Sequence, residues 1–252
     1  MRYKLLIWIG LFSVASWAQD EVNDTFERAN ELYVAGSYDD AMQLYDGIWK
    51  SGVFSGGLAY NMGNTYLKQG DVGNAILFYK RALIMEENDD VLNNLKEARK
   101  RVQDPIPIFE DFFLTKWWRA LLFSLGTNGW AVVSLVFVFV SACTTTYWVI
   151  NKEKRRRPIL HIGIGAGLIG LLALLLAYTS LKESRHLQPA VIMTEDSILY
   201  AASDERSEEV RRLSSGIEID VLDVIGEWSK VRLPDRDVGW LRPGTFKKVA
   251  WE

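Results

Sequence analysis

The sequence predicts a multidomain chain: an all-α region of helical repeats, a hairpin of two apolar helices, and an all-β domain towards the C-terminal end. Three observations carry this. Residues 29–49 and 63–83 are self-similar at an offset of 34. Two long apolar runs, 129–150 and 159–181, are separated by a short basic link. From Leu187 onward, apolar and polar residues alternate between short turns.

The first segment, "MRYKLLIWIGLFSVASWAQD", has Arg2 and Lys4 ahead of an apolar core, Leu5 to Val14, and small residues around Ala18. This pattern predicts a signal peptide over 1–18, the rival being an uncleaved anchor. Charge is then segregated along the chain. Residues 19–104 carry 15 acids against 9 bases, and residues 187–252 carry 13 against 9. Neither region has the clustered Lys/Arg of a nucleic-acid surface, so no nucleic-acid partner is expected. The lone cysteine, Cys143, excludes an intrachain disulfide and a cysteine-based metal site.

The repeat region is expected over 22–104, as two helix pairs and a capping helix. At the 34-residue offset Ala29 matches Gly63, Asn30 matches Asn64, Gly36 matches Gly70, Ala41 matches Ala75, and Tyr45 matches Tyr79. Small residues let paired helices touch, and Gly36 and Gly70 fall where the turn calls for a positive φ. The segment Asp90 to Val102 begins a further helix in register without a partner, as a cap does. In period and in these positions the region resembles the tetratricopeptide repeat. It departs from that pattern at Thr25, Ala59 and Glu87, where the usual Trp and Pro are missing. The resemblance implies a concave groove that binds peptides, lined here by Phe26, Asn30 and Tyr33, by Tyr60, Asn64, Leu67 and Lys68, and by Asn94 and Arg101. Paired asparagines can hold a peptide backbone through both amide atoms. The same residues also read as a solvated helix face, or as a surface for the membrane-proximal part of this chain.

Residues 105–126, "PIPIFEDFFLTKWWRALLFSLG", place Phe109, Phe113, Trp117, Ala120 and Leu121 at helical spacing, with Asp111, Thr115, Lys116 and Arg119 on another arc. This predicts an amphipathic helix at a membrane interface, anchored by Trp117 and Trp118, or else a further core helix. The runs 129–150 and 159–181 are each long enough to span a bilayer. The link at 151–158 holds Lys152, Lys154, Arg155, Arg156 and Arg157, which predicts a cytoplasmic basic loop and a transmembrane hairpin with both flanks outside the cytoplasm. Gly163 with Gly167, and Ala166 with Gly170, form small-residue steps; Ser141 and Thr145 give the first run a comparable face. Such faces pack helices closely, within one chain or between two.

Over 187–252 the alternation of Ile217, Ile219 and Val221, the turn in "LPDRDVGW", Gly216, Trp228 with Val231, and Gly239-Trp240-Leu241 resemble the bacterial SH3 domain. The resemblance implies an all-β SH3-like barrel whose aromatics bind peptides or peptidoglycan stems. Tyr200, Trp228 and Trp240 are the candidates, although Trp240 reads first as a plug of the barrel core.

The only two histidines, His161 and His186, fall in or beside the second apolar run, and no metal-ligand spacing, phosphate loop or nucleophile elbow occurs. The expectation is therefore a non-enzyme with no catalytic residue, no metal and no cofactor. Taken whole, the order of parts resembles the BatE-like proteins of the Bat aerotolerance operons. That resemblance implies a bacterial inner-membrane protein with periplasmic domains, and von Willebrand A-type membrane proteins as partners. It points to a protein-binding scaffold. A cell-wall-sensing transducer and an accessory subunit of an envelope enzyme are the alternatives.

Overall fold

The computed structural model describes residues 21–107, 112–151, 157–186 and 188–250. The expected signal peptide, Phe109, Asp111 and most of the basic link lie outside the described residues. Two compact units result: Met1–Ile108 together with Gln188–Glu252, and Phe109–Leu187.

The first unit begins with helix α1 (21–34) and α2 (Tyr38–Lys50), followed by α3 (Gly56–Gln69) and α4 (Val72–Met85), then α5 (Asp89–Arg99). Local chemistry sets these limits. Ser55, Asp71 and Asn88 cap α3, α4 and α5 by accepting backbone N–H groups two or three residues on, which satisfies otherwise orphaned donors. Gly36 and Gly70 end the first helix of each pair at φ +83 and +85. There the Asp71 N–H bonds back to the Tyr66 carbonyl at 2.9 Å, closing a left-handed cap. The 34-residue pattern thus corresponds to α1 with α2 and α3 with α4, followed by the single helix α5. In their core Ala29, Ala41, Tyr45, Ala59, Met62, Ala75 and Tyr79 are fully buried. Gly63 permits close packing between the helices. A Cβ built there would sit 2.7 Å from the Tyr79 ring, so the absence of a side chain lets α4 lie on α3.

The C-terminal part of this unit is a seven-stranded antiparallel sheet in the order β3-β2-β6-β5-β4-β1-β7. The strands are β1 (Gln188–Ile192), β2 (Ser197–Tyr200), β3 (Glu209–Leu213), β4 (Glu218–Ile225), β5 (Trp228–Arg232), β6 (Val238–Leu241) and β7 (Phe246–Lys248). Alternation places Ile219 and Val221 of β4 and Val231 of β5 inside. A two-residue turn, Gly226-Glu227, joins β4 to β5, with Gly226 at φ +61 as such hairpins require. The expected closed SH3-like barrel is not shown, because β3 and β7 remain the two edges of the sheet. At β7 the Arg81 guanidinium of α4 donates to the carbonyls of Lys248 (3.2 Å) and Val249 (3.1 Å).

That contact belongs to a joint between helices and sheet. Val191 and Val249, both fully buried, join the hydrophobic cluster of the repeats. Val102, after α5, packs against the clusters of both parts. Backbone approach is close enough that a Cβ at Gly73 of α4 would collide with Ser215 Oγ and stand 3.1 Å from the Ile192 carbonyl. Gly216, at φ +90, lies against Val102, Ile76 and Val72 in the same way. Glu218 of β4 then accepts from Lys80 of α4 (2.5 Å) and Arg99 of α5 (2.6 Å). Burial works to raise the Glu218 pKa. The Arg99 hydrogen bond and the charges of Lys80 and Arg99 outweigh it and hold the carboxyl below its ordinary value.

The second unit comprises α6 (Phe113–Ser124), α7 (Gly126–Ile150) and α8 (Arg157–His186). Both α7 and α8 are long and apolar enough to cross a membrane. Their contact is the small-residue face. Ser141 Oγ donates to the Gly163 carbonyl at 2.7 Å, and Ser134 Oγ to that of Gly170 at 2.9 Å. A Cβ at Gly163 would meet Thr144 Oγ1 at 2.8 Å, and one at Gly170 would meet Val138 Cγ2 at 3.0 Å. These glycines therefore serve the hairpin within the chain. In α6, Leu122 is buried and its carbonyl accepts from Trp130 Nε1 at 3.1 Å, while Arg119 pairs with Glu183 at 3.1 Å. Phe113 and Trp117 are exposed, and so are Thr115 and Lys116 of the opposite arc.

Candidate functional site

The first helices of the pairs, α1 and α3, with α5, carry the residues that the repeat spacing nominates. The structure joins Asn30, Tyr60, Asn64 and Asn94 of these in a hydrogen-bonded ladder with Tyr45, Asn61 and Tyr79. Asn30 Oδ1 accepts from Tyr45 Oη (2.7 Å) and from Asn61 Nδ2 (2.8 Å). One period later, Asn64 Oδ1 accepts from Tyr79 Oη (2.8 Å) and from Asn94 Nδ2 (2.8 Å). Asn94 Nδ2 also donates to Tyr60 Oη at 3.1 Å. Each rung has one logic. A buried tyrosine from the second helix and an asparagine amide from a following helix saturate one carbonyl oxygen, which fixes the direction of the amide.

Burial pushes the Tyr45 phenol up to about 12, and burial followed by the neighbouring Tyr60 raises Tyr79 as well. Both therefore stay protonated donors, and the stability they contribute is lost only as pH rises above the ordinary phenol value of 10.0. Between the rungs lies a cavity of about 210 Å³ lined by Asn30, Tyr33, Val34, Tyr45, Asn61 and Asn64. Tyr33 leans on Tyr38 with ring centres 5.5 Å apart, and Phe26 on Tyr45 at 5.9 Å. Arg101 donates to the Leu67 carbonyl at 3.3 Å, tying the chain after α5 to α3, and Lys68 stands exposed beside Leu67.

The structure thus gathers Asn30, Tyr33, Tyr60, Asn64 and Asn94 on one face, and it spends the carbonyl oxygens of Asn30 and Asn64 internally. What those two side chains retain for a ligand is the Nδ2 group, a pure donor. Sequence reasoning missed Asn61, Tyr45 and Tyr79 as parts of the network. A signal existed, since each tyrosine follows its asparagine by 15 residues in both repeats. Tyr79→Phe is expected to cost about 1–2 kcal/mol, because a half-buried carbonyl loses a partner. Chemical denaturation of the full chain measures this, with the exposed Tyr178→Phe as the neutral control.

On the sheet, Tyr200 and Trp228 meet edge to face at 5.4 Å. Tyr200 is only 5% exposed, so it supports this patch from beneath. The reading of Trp240 as a core plug is corrected. Gly239 and Leu241 point inward and are buried, whereas Trp240 is half-buried on the other face of β6. The reason is the strand period of two, together with Leu199, which fills the space over Gly239 at 2.6 Å from a Cβ position there. Lys230 Nζ lies 5.9 Å from the Trp240 ring centre and Arg242 lies 5.8 Å from that of Tyr200, so cations already cover both rings. A cleft of about 300 Å³ at the joint is walled partly by Lys80, Arg99, Glu218, Asp220 and Arg232. Glu218 is paired as described, and Asp220 pairs with Arg232 at 3.0 Å, so the cleft is part of the joint.

No family model matches the chain, and no curated protein does. Among solved structures, one described as the "TPR2AB-domain:pHSP90-complex of yeast Sti1" aligns with 19% identity and a TM-score of 0.30, over 65% of this chain and 63% of that one. The chain thus spans less than two thirds of that neighbour's length. A score this low is short of a common fold, and the helical-repeat reading rests on the 34-residue geometry of the chain itself.

Proposed function

We propose that this protein is a non-catalytic, membrane-anchored scaffold that holds an extended segment of a protein partner in its tetratricopeptide-like groove. The observation that carries the reading is the pair of repeated asparagines, Asn30 and Asn64, whose carbonyl oxygens are taken up by Tyr45 and Tyr79, which leaves their Nδ2 groups as the donors to offer a ligand. Peptide backbone carbonyls are the matching acceptors, and the intervening cavity suits an apolar side chain.

Anchoring is supported by the exposed surface of α7 and α8. Leu135, Phe139, Leu168 and Leu172 are all more than half exposed. So large an apolar surface is unfavourable in water and suited to lipid. At 25 residues, α7 is about 38 Å long, enough to cross the hydrocarbon layer. The two chain segments that flank this hairpin share one hydrophobic core. Chains that fold together must lie on one side, so the hairpin crosses twice. The basic residues at 152 and 154–157 favour the cytoplasm for its tip and the periplasm for the folded body. The exposed Phe113 and Trp117 of α6 suit the membrane interface. In this reading the chain resembles BatE-like proteins of a Bat aerotolerance complex. Its groove takes a von Willebrand A-type membrane protein, and the Trp228–Trp240 face takes a second protein or peptidoglycan.

The test is a pair of fusions placed after Glu252. Periplasm-dependent alkaline phosphatase should be active and green fluorescent protein dark. Crosslinking in membranes should then recover von Willebrand A-type proteins with the native chain and lose them with Asn30→Ala/Asn64→Ala. A fluorescent fusion in the cytosol, or recovery unaffected by the double substitution, overturns the proposal.

A further inference from the structure

We propose that the β-sheet module regulates the groove: its docking on α4 and α5 holds the second rung of the asparagine ladder in place, so docking and groove occupancy are coupled. This rests on the groove being the peptide site. Two helices carry both functions on different faces. In α4, Tyr79 gives its hydroxyl to Asn64 of the groove, and the next two residues, Lys80 and Arg81, hold Glu218 and the carbonyls of Lys248 and Val249. In α5, Asn94 binds Asn64 and Tyr60, and Arg99 binds Glu218.

The first rung is tied to the joint less directly. Asn30, Tyr45 and Asn61 belong to α1, α2 and α3, and Trp49 of α2 reaches the joint by way of the Arg81 guanidinium, 5.7 Å from its ring centre, whereas α4 and α5 themselves bond to the sheet. The weak link is α5. It has 11 residues, too few for a stable isolated helix, and only Val91, Leu95 and Ala98 are buried. In a stacked array the next repeat would cover it. Here Gly216, Ile217 and Glu218 of the sheet module lie beside Val102 and Arg99. Undocking the sheet therefore frees α5 and withdraws the Asn94 amide from Asn64. By linkage, a peptide that orders α5 strengthens docking by the same factor.

The experiment is amide hydrogen exchange on the full chain in lipid nanodiscs, without ligand. Glu218→Gln removes the charge that both cations share while keeping the shape, and Gly73→Val wedges the joint from the helix side. The exposed Arg212→Ala is the control. Both joint variants should deprotect β1 and β7, and α5 should lose roughly tenfold protection or more, while α1 and α2 stay within about twofold. Loss in β1 and β7 with α5 unchanged overturns the coupling. Unchanged β1 and β7 in Glu218→Gln overturns the ion-pair joint, and with it the proposal. If Gly73→Val fails to fold, Glu218→Gln decides alone. Because no peptide is present, these outcomes are independent of the crosslinking result.

Discussion

Gly63→Val is expected to destabilise the repeat region by about 2–4 kcal/mol, at the upper end of what overpacking costs. The Cβ alone would stand 2.7 Å from two atoms of the Tyr79 ring. That ring cannot swing aside. It is fully buried, and its hydroxyl is committed to Asn64. Two branches on the Cβ leave valine only stiff rotamers in a helix, so relief has to come from parting α3 and α4. Parting them also pulls Tyr79 from the groove ladder. Urea unfolding followed by circular dichroism measures the loss. Gly57→Val, whose Cβ meets nothing within 4 Å, should show only the cost of valine in a helix. Equal losses at the two positions would remove close packing as the reason for a glycine at 63.

Acid is expected to open the joint between helices and sheet. Glu218 faces Lys80 of α4 and Arg99 of α5, and the Asp220–Arg232 pair lines the same cleft. Its folded pKa is depressed. The stabilisation is therefore fully present above the ordinary glutamate pKa of about 4.3, and it is lost as pH falls from there through the lower folded value. Glu218→Ala should remove it at every pH. The expected cost is about 2–3 kcal/mol, below the value for fully buried pairs because the Glu218 side chain keeps 21% of its exposure. Cleavage between the modules, followed by sedimentation from pH 7 down to pH 3, reads the joint directly. The native halves should stay together at pH 7 and separate in the acid range, and the Glu218→Ala halves should separate throughout. Halves that hold together across the whole range would show that apolar burial of Val191 and Val249 carries the joint without the ion pairs.

The parts that could be read from the chain are those encoded over short distances. The 34-residue match, with Gly36 and Gly70 at its turns, describes helix pairs because each repeat fills the same space with the same small residues. The apolar runs and the Gly163, Gly167 and Gly170 face describe a hairpin because small residues at helical spacing let two long helices pack closely. Asn30 and Asn64 stood out by their period. That their carbonyl oxygens are saturated from within did not, since Asn61 and Asn94 occupy unmatched positions in the repeat. Trp240 reads as a core plug in the sequence because an aromatic in an alternating strand suits either face until a neighbour such as Leu199 fills one of them.

The union of helices and sheet came from the folded chain alone. Lys80 and Glu218 are 138 residues apart, and Arg81 and Val249 are 168 apart. In the sequence these are ordinary surface charges and a valine near the end of the chain, with no periodicity to mark them. Helical period, apolar length and turn chemistry are local properties, so composition and spacing express them. Which face of α4 meets which edge of a sheet depends on shape and charge complementarity between surfaces that exist only after both have folded.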